Sequence, residues 1–436
     1  MKNQITIKEI KEFNNQFNSN KNNKQIMEGI NKNGLQNFCL NKKIIEENPP
    51  IFNIELCETK RMDQKESLRC WIYSGLNFIK RNIANNLNID ILNFELSPTF
   101  VSFYDRLEKS NSLYNTIISK NVNFKTIDKD MYYSEPCHEK GRFELFKAIV
   151  NKYGIVPADI MKDTKDSLSS ETFNLVFNEK VKKDCIKLLN AKNEGLDCYK
   201  LKKELLAENY DFLSKIMGEP PLTFNYTYIN QQNETVTLNN ITPLQFKNTY
   251  LSIDLDEYVC ILNMEKYNRT LFTKYRKKGF GNIYKKSHIE YLNLPIQRLK
   301  ELSIMQLKQG EPVIFDCEPL KFRDISTGIL DTRLYDYSLN FSFEPLSKIE
   351  SLNYKNIFAR HVMTFTGVHI EKNKPIRWKV EDSYGTEKRY NGYYIMNDNW
   401  FDKFVIGVVI NKKYLSESEF NLYNSAPTIT FQPDVF

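Results

Sequence analysis

The chain has 436 residues, 41% of them hydrophobic and 26% charged, and a net charge of +7 at neutral pH. That length corresponds to roughly two to three domains, the composition is that of a soluble globular protein, and the thinly spread charge permits nucleic-acid contact without arguing for it. Eight cysteines scattered singly exclude a compact disulfide framework, and the longest clean apolar run near the end, Phe404 to Ile410, is too short to span a bilayer.

The start of the chain alternates apolar and charged residues and lacks the apolar core of a signal peptide, so a cytoplasmic protein is expected. Ile7, Ile10, Phe13 and Phe17 keep helical spacing, and a second amphipathic piece follows around Ile26 to Leu35. Arg61 to Leu87 is the stretch around which the chain is organised. Beyond Cys70, the residues Ile72, Leu76, Ile79, Ile83 and Leu87 form one apolar helical face, with Lys80, Arg81, Asn82 and Asn85 predicted to turn away from it. Cys70 stands where that helix begins, and the positive end of the helix dipole favours a thiolate there.

Ser97 and Pro98 predict the start of an aromatic-rich helix. Residues 139–161 predict another, ended by Gly154 with Pro157 preventing its resumption. Ser169 to Met217 reads as long helices, and Phe224 to Leu238 alternates like two strands around a polar turn. Signals from Tyr250 to Arg298 are mixed. A helix from about Ile296 leads to a strand at 312–318, and the remainder reads as strands: 361–370, 376–385, 393–398 and 402–410. The parts are a nucleophile-bearing helical region over about 1–150, a mainly helical insertion over about 150–300 and a β-rich region over about 300–436. The order predicts an α+β chain.

A cysteine nucleophile at neutral pH needs a base, and the chain has four histidines: His138, His288, His361 and His369. His361 opens an alternating strand, which places it at a sheet end. Taken singly it reads more readily as an ordinary strand histidine, and His369, with the same parity, competes with it. Asp382 follows in Val-Glu-Asp-Ser-Tyr-Gly after a neighbouring strand, either as the partner of the second ring nitrogen or as a turn residue before Gly385. Gln64 is either a solvated side chain or, with the Cys70 N–H, one of two donors to an oxyanion. Neither HExxH nor paired-cysteine spacing occurs, so no metal site is expected, and nothing calls for a cofactor.

Gln64-x5-Cys70-Trp71, a distant His361 and Asp382-Ser383-Tyr384-Gly385, in that order, resemble the papain-like cysteine peptidases. Asp63 to Trp71 (DQKESLRCW) is similar to the NQKSSGRCW pattern of the bleomycin hydrolase / aminopeptidase C family. Further matches are SPTFVSFYDRLEK (97–109), KYGIVP (152–157), GEPP (218–221), TPLQF (242–246), LYD (334–336) and HVMTFTGV (361–368). The interval of about 290 residues between Cys70 and His361 exceeds the ~130–150 of minimal papain-like enzymes, and this family places helical insertions there.

The resemblance implies a papain-like fold and intracellular cysteine aminopeptidase action on short peptides. Cys70 would be the nucleophile, His361 the base and acid, Asp382 its orienting partner and Gln64 the oxyanion donor. Trp71 would pack behind the nucleophile, and Tyr384 would shield the His361–Asp382 bond where the family usually has Trp. The family forms homohexamers, with the insertion serving oligomerisation, and its C-terminal arm lies in the cleft; here that arm ends in Phe436 and is slightly shorter than usual. Three departures touch the site: Asp382 replaces the usual Asn, Leu68 the usual Gly, and Glu139-Lys140-Gly141 the usual Asp-Gly-Gly along the bound substrate, where Lys140 would crowd or charge the wall. They leave open an alternative: a hexameric homologue of low or no activity that binds peptides or nucleic acid.

Overall fold

A computed structural model describes residues 4–119, 135–266, 268–277, 281–286, 288–387, 390–425 and 429–431. Helices dominate up to Tyr250 and a largely antiparallel sheet dominates after it, an α+β arrangement in which Cys70 and His361 come from opposite halves.

The nucleophile helix spans Cys70–Leu87 and ends at Asn88, whose φ of 56° is tolerated by a short polar side chain. It is buried on nearly every side, which corrects the expectation that Lys80 and Arg81 face water. The segment before the nucleophile lies over that flank: Lys80 Nζ donates to the Lys60 carbonyl at 2.9 Å, and Arg81 donates to the Cys57 carbonyl. Backbone oxygens accept from both cations, and Arg81 also lies 3.9 Å from the Glu381 carboxylate, which makes their burial tolerable.

Pro98–Ser119 forms a long helix whose first turn is capped by Ser97, the Ser97 hydroxyl accepting the Phe100 N–H at 3.1 Å. The next helix is shorter than the sequence suggests. It spans Phe143–Tyr153, with Glu139 to Arg142 held outside it by long-range bonds, and Gly154 ends it at φ 79°. The helices Glu171–Asn193 and Cys198–Met217 pack on Pro98–Ser119, and their Phe177, Leu188, Leu205 and Leu213 share one apolar core with the nucleophile helix.

After the hairpin Phe224–Ile229/Thr235–Ile241, the strands Tyr258–Leu262, Thr273–Lys277 and Ile289–Asn293 already belong to the main sheet. The helical region thus stops well short of residue 300. These strands are short, two of their pairings are parallel, and their outer partners, Val405–Asn411 and Ile429–Phe431, lie far off in sequence. At the sheet's centre, Val313–Cys317 pairs with the histidine strand His361–Glu371, which pairs on its other side with the aspartate strand Lys374–Glu381. The expected strand at 402–410 is the end of a helix, Asp398–Phe404, followed by the strand Val405–Asn411. At the other end of the chain the helix Ile7–Ser19 forms under a Thr6/Glu9 capping box with its whole surface unburied. No helix among the described residues is long and apolar enough to cross a membrane.

Candidate active site

Cys70 is the first residue of its helix, preceded by Arg69 in a non-helical conformation, and only 9% of it is exposed. The Cys70 N–H therefore lacks an intrahelical acceptor, as the first turn of any helix does. Behind it Trp71 is buried, and its indole N–H donates to the Glu139 carbonyl at 2.6 Å. Gly141 lies flat on the same indole: a Cβ there would stand 2.4 Å from the ring, which only glycine avoids.

His361 faces this helix start from the other half. Its Nε2 meets Asp382 Oδ1 at 2.7 Å, and the same carboxylate oxygen accepts the Ser383 N–H at 2.8 Å. With Nε2 engaged, Nδ1 is the ring nitrogen left for Cys70, whose sulfur interacts with the imidazole. Burial alone pushes the His361 pKa down, yet the charge of Asp382 and the interaction with Cys70 outweigh it and raise the pKa to about 10. Tyr384 stacks over the ring, centroids 5.9 Å apart.

Gln64 is brought to this place by the turn that carries Asp382. The Gln64 N–H donates to the Ser383 carbonyl at 2.8 Å, and the Gly385 N–H donates to the Met62 carbonyl at 3.2 Å. Gln64 is buried, and its side-chain oxygen meets no donor among the described residues. Behind the turn, Glu381 is clamped by Arg61 at 3.2 Å, and Arg61 lies 3.6 Å from the centroid of the Tyr393 ring.

The other expected positions divide. Leu68 is 55% exposed two residues before Cys70, at a negative φ, so the loop path needs no glycine-only conformation. Lys140 is exposed, and its carbonyl accepts from Lys109 Nζ at 3.3 Å. Phe436 lies outside the described residues. Of the remaining histidines, His369 pairs with Glu371 at 2.8 Å on the far part of the same strand; a bulge between Phe365 and Gly367 breaks the alternation that linked it to His361.

Two neighbouring residues make long-range bonds: Glu139, which the sequence marked only as a departure from the family's pattern, and Arg142, which it did not single out. The Glu139 carboxylate accepts the Leu68 N–H at 3.4 Å and an Asn174 amide N–H at 3.0 Å, and it also meets Arg106 and Ser170. Burial pushes its pKa up, but Arg106 and the Ser170 and Asn174 donors more than offset this, so the carboxyl stays below its ordinary value. Arg142 reaches across to Asp316 and the Ala359 carbonyl. Their partners lie far away in sequence, and only a charged residue beside a glycine hinted at either.

The sequence profile of the peptidase C1-like family matches residues 4–434. The chain is 32% identical over 431 residues to Aminopeptidase C of Listeria monocytogenes, covering 98% of this chain and 97% of that one. It is 30% identical to Aminopeptidase G of Lactobacillus delbrueckii subsp. lactis, covering 98% of both. Among solved structures, PepW of Lactobacillus rhamnosis HN001 superposes with a TM-score of 0.92 at 30% identity, covering 99% of this chain and 98% of that chain.

Proposed function

The chain belongs to the peptidase C1-like family and has its papain-like α+β fold, and from that premise we propose that it is a cysteine aminopeptidase acting through Cys70, His361 and Asp382. The observation that carries the reading is the arrangement around His361: an aspartate hydrogen-bonded to one ring nitrogen, and a helix-start thiol that interacts with the same ring. The aminopeptidase names of full-length relatives support the substrate class.

The proposed reaction begins with His361 as imidazolium and Cys70 as thiolate. The sulfur adds to the scissile carbonyl carbon, and the resulting oxyanion takes hydrogen bonds from the Cys70 N–H and the Gln64 amide. The C–N bond then breaks, with the leaving amine accepting the His361 proton, and a thioester remains on Cys70. Water attacks the thioester, returning a proton to His361, and the C–S bond breaks to release the acid. Asp382 fixes the ring orientation and stabilises the imidazolium throughout.

Short peptides with free amines in the cytoplasm are the proposed substrates, and a homohexamer the proposed assembly. The unburied apolar stripe of the N-terminal helix supports association, with Ile7 at 74% and Phe13 at 53% exposure. Turnover of free aminoacyl fluorogenic amides tests the reading. Cys70→Ser is expected to lower kcat by about 10³-fold or more with folding intact. A native protein that is folded and associated yet inert on a broad amide panel would favour a peptide-binding homologue instead.

A further inference from the structure

His361 lines an open hollow of about 440 Å³ together with Tyr384, Pro319, Leu320, Arg323 and Ile325. The sheet order explains how these residues meet. Cys317 lies opposite His361 in the strand pair. From there residues 318–322 lead to the short strand Arg323–Asp324, which forms the edge of the sheet beyond Lys374–Glu381, Tyr393–Asn397 and Ile329–Leu330. The segment after Cys317 thus passes from the histidine's neighbour to the sheet edge and lines the hollow on its way.

The charged side chains of this hollow are Asp63, Lys65, Arg323 and Glu387, with His361 at its base, and they are not equivalent. Lys65 Nζ pairs with Asp63 at 2.7 Å, and the charge of Glu387 also acts on it. Arg323 is half-buried, and no carboxylate among the described residues pairs with its guanidinium. Its neighbour Asp324 is turned into its own loop, accepting the Ser326 N–H at 3.0 Å and the Thr327 hydroxyl at 2.8 Å. The backbone of Arg323 is held in place, because its carbonyl accepts the Tyr335 hydroxyl at 2.8 Å and that hydroxyl accepts from the Gln36 amide at 2.6 Å. A guanidinium with a fixed backbone and unused donors suits a carboxylate, which it can hold through two parallel N–H···O bonds.

The proposed chemistry selects the carboxylate. His361 hands its proton to the leaving amine, so the leaving part of the peptide begins at His361 and extends into the hollow that His361 lines. A short leaving peptide ends in a carboxylate within reach. Six peptide links separate Cys317 from Arg323, which bounds their Cα separation at about 20 Å, so a leaving peptide of six residues or fewer covers the distance. We infer that Arg323 is a specificity-determining residue on the leaving-group side, where it binds the terminal carboxylate of short peptide substrates. The inference rests on the proposed peptide hydrolysis at Cys70, and it adds to it a preference for oligopeptides with a free C-terminus.

Peptides with one common N-terminal residue followed by one to six alanines, each made as free acid and as carboxamide, test this through release of the N-terminal residue by the native protein. At one length at least, kcat/KM for the acid is expected to exceed that for the carboxamide by about tenfold or more, the effect of one charge-assisted pair. Equal values at every length would overturn the inference and leave the peptidase reading standing. Arg323 has no buried partner, so replacing it strands no charge. In Arg323→Met the acid-to-carboxamide ratio is expected to fall to near one, and in Arg323→Glu to below one, an inversion that a merely structural role would not produce. A native preference that survives both substitutions would assign the carboxylate to another group, such as Lys65, and overturn the inference. If the native protein cleaves neither peptide set nor aminoacyl fluorogenic amides, the peptidase reading fails, and the role of Arg323 with it.

Discussion

The reacting groups and the cleft walls are built on different terms. Cys70, His361 and Asp382 are each 9% exposed or less, and each is fixed by a helix start, a strand end or a turn. The proposed walls are the exposed Leu68 and the segment Glu139 to Arg142, in which the side chains of Glu139 and Arg142 reach across to distant elements. The reacting groups match the family's pattern at every position but Asp382, whereas the walls depart from it at Leu68, Glu139 and Lys140. Chemistry needs a fixed geometry of a few atoms, while selectivity is set by whatever volume and charge surround them. The comparison teaches that reaction class and substrate preference are carried by separable residues here.

Substitutions on either side of that division sharpen it. Gln64→Ala is expected to lower kcat by about 10²–10³-fold with little change in KM, the cost of one oxyanion donor; an equal loss in KM alone would place Gln64 among the walls. Glu139→Ala leaves Arg106 buried without its carboxylate and frees the Leu68 N–H, so thermal denaturation is expected to show a loss of about 3–5 kcal/mol. Gly141→Ala forces a methyl onto Trp71 and is expected to cost about 1–3 kcal/mol while lowering kcat, because the displaced indole adjoins Cys70. The smallest effect is expected from Leu68→Gly. It should leave kcat for small aminoacyl amides nearly unchanged and raise kcat/KM for bulky ones by about tenfold at most. A large loss of kcat in that variant would break the division between chemistry and walls.

The same division marks what was legible in the sequence. That Cys70, His361, Asp382 and Gln64 come together could be read because a cysteine-peptidase chemistry would demand those residue types in that order, and local signals placed them: a helix start, a strand start, a turn. The burial of Lys80 and Arg81 could not, because residues 57–60 cover them only in the folded chain. The helix expected from residue 139 starts at Phe143 because Glu139 makes tertiary bonds instead of helical ones. The strands between Tyr258 and Asn293 stayed obscure because they are short and two of their pairings are with strands from the far end of the chain. Helical periodicity reports a face; it does not report what covers that face.

The central claim is that Asp382 and Cys70 together hold His361 as an imidazolium in the working enzyme. With its pKa raised from 6.5 to about 10, His361 contributes stability that is fully present below about pH 6.5 and is lost as the pH rises through about 10. The imidazolium needed for amine departure is lost through that same upper limit. Asp382→Asn removes the charge that raises it, so the alkaline limb of kcat/KM should move to lower pH by about 1 unit or more. The direct measurement is that limb, recorded on one free aminoacyl amide for the native protein and for Asp382→Asn. Activity persisting towards pH 10 in the native protein and failing earlier in the variant is the expected result; superimposable limbs would contradict the account.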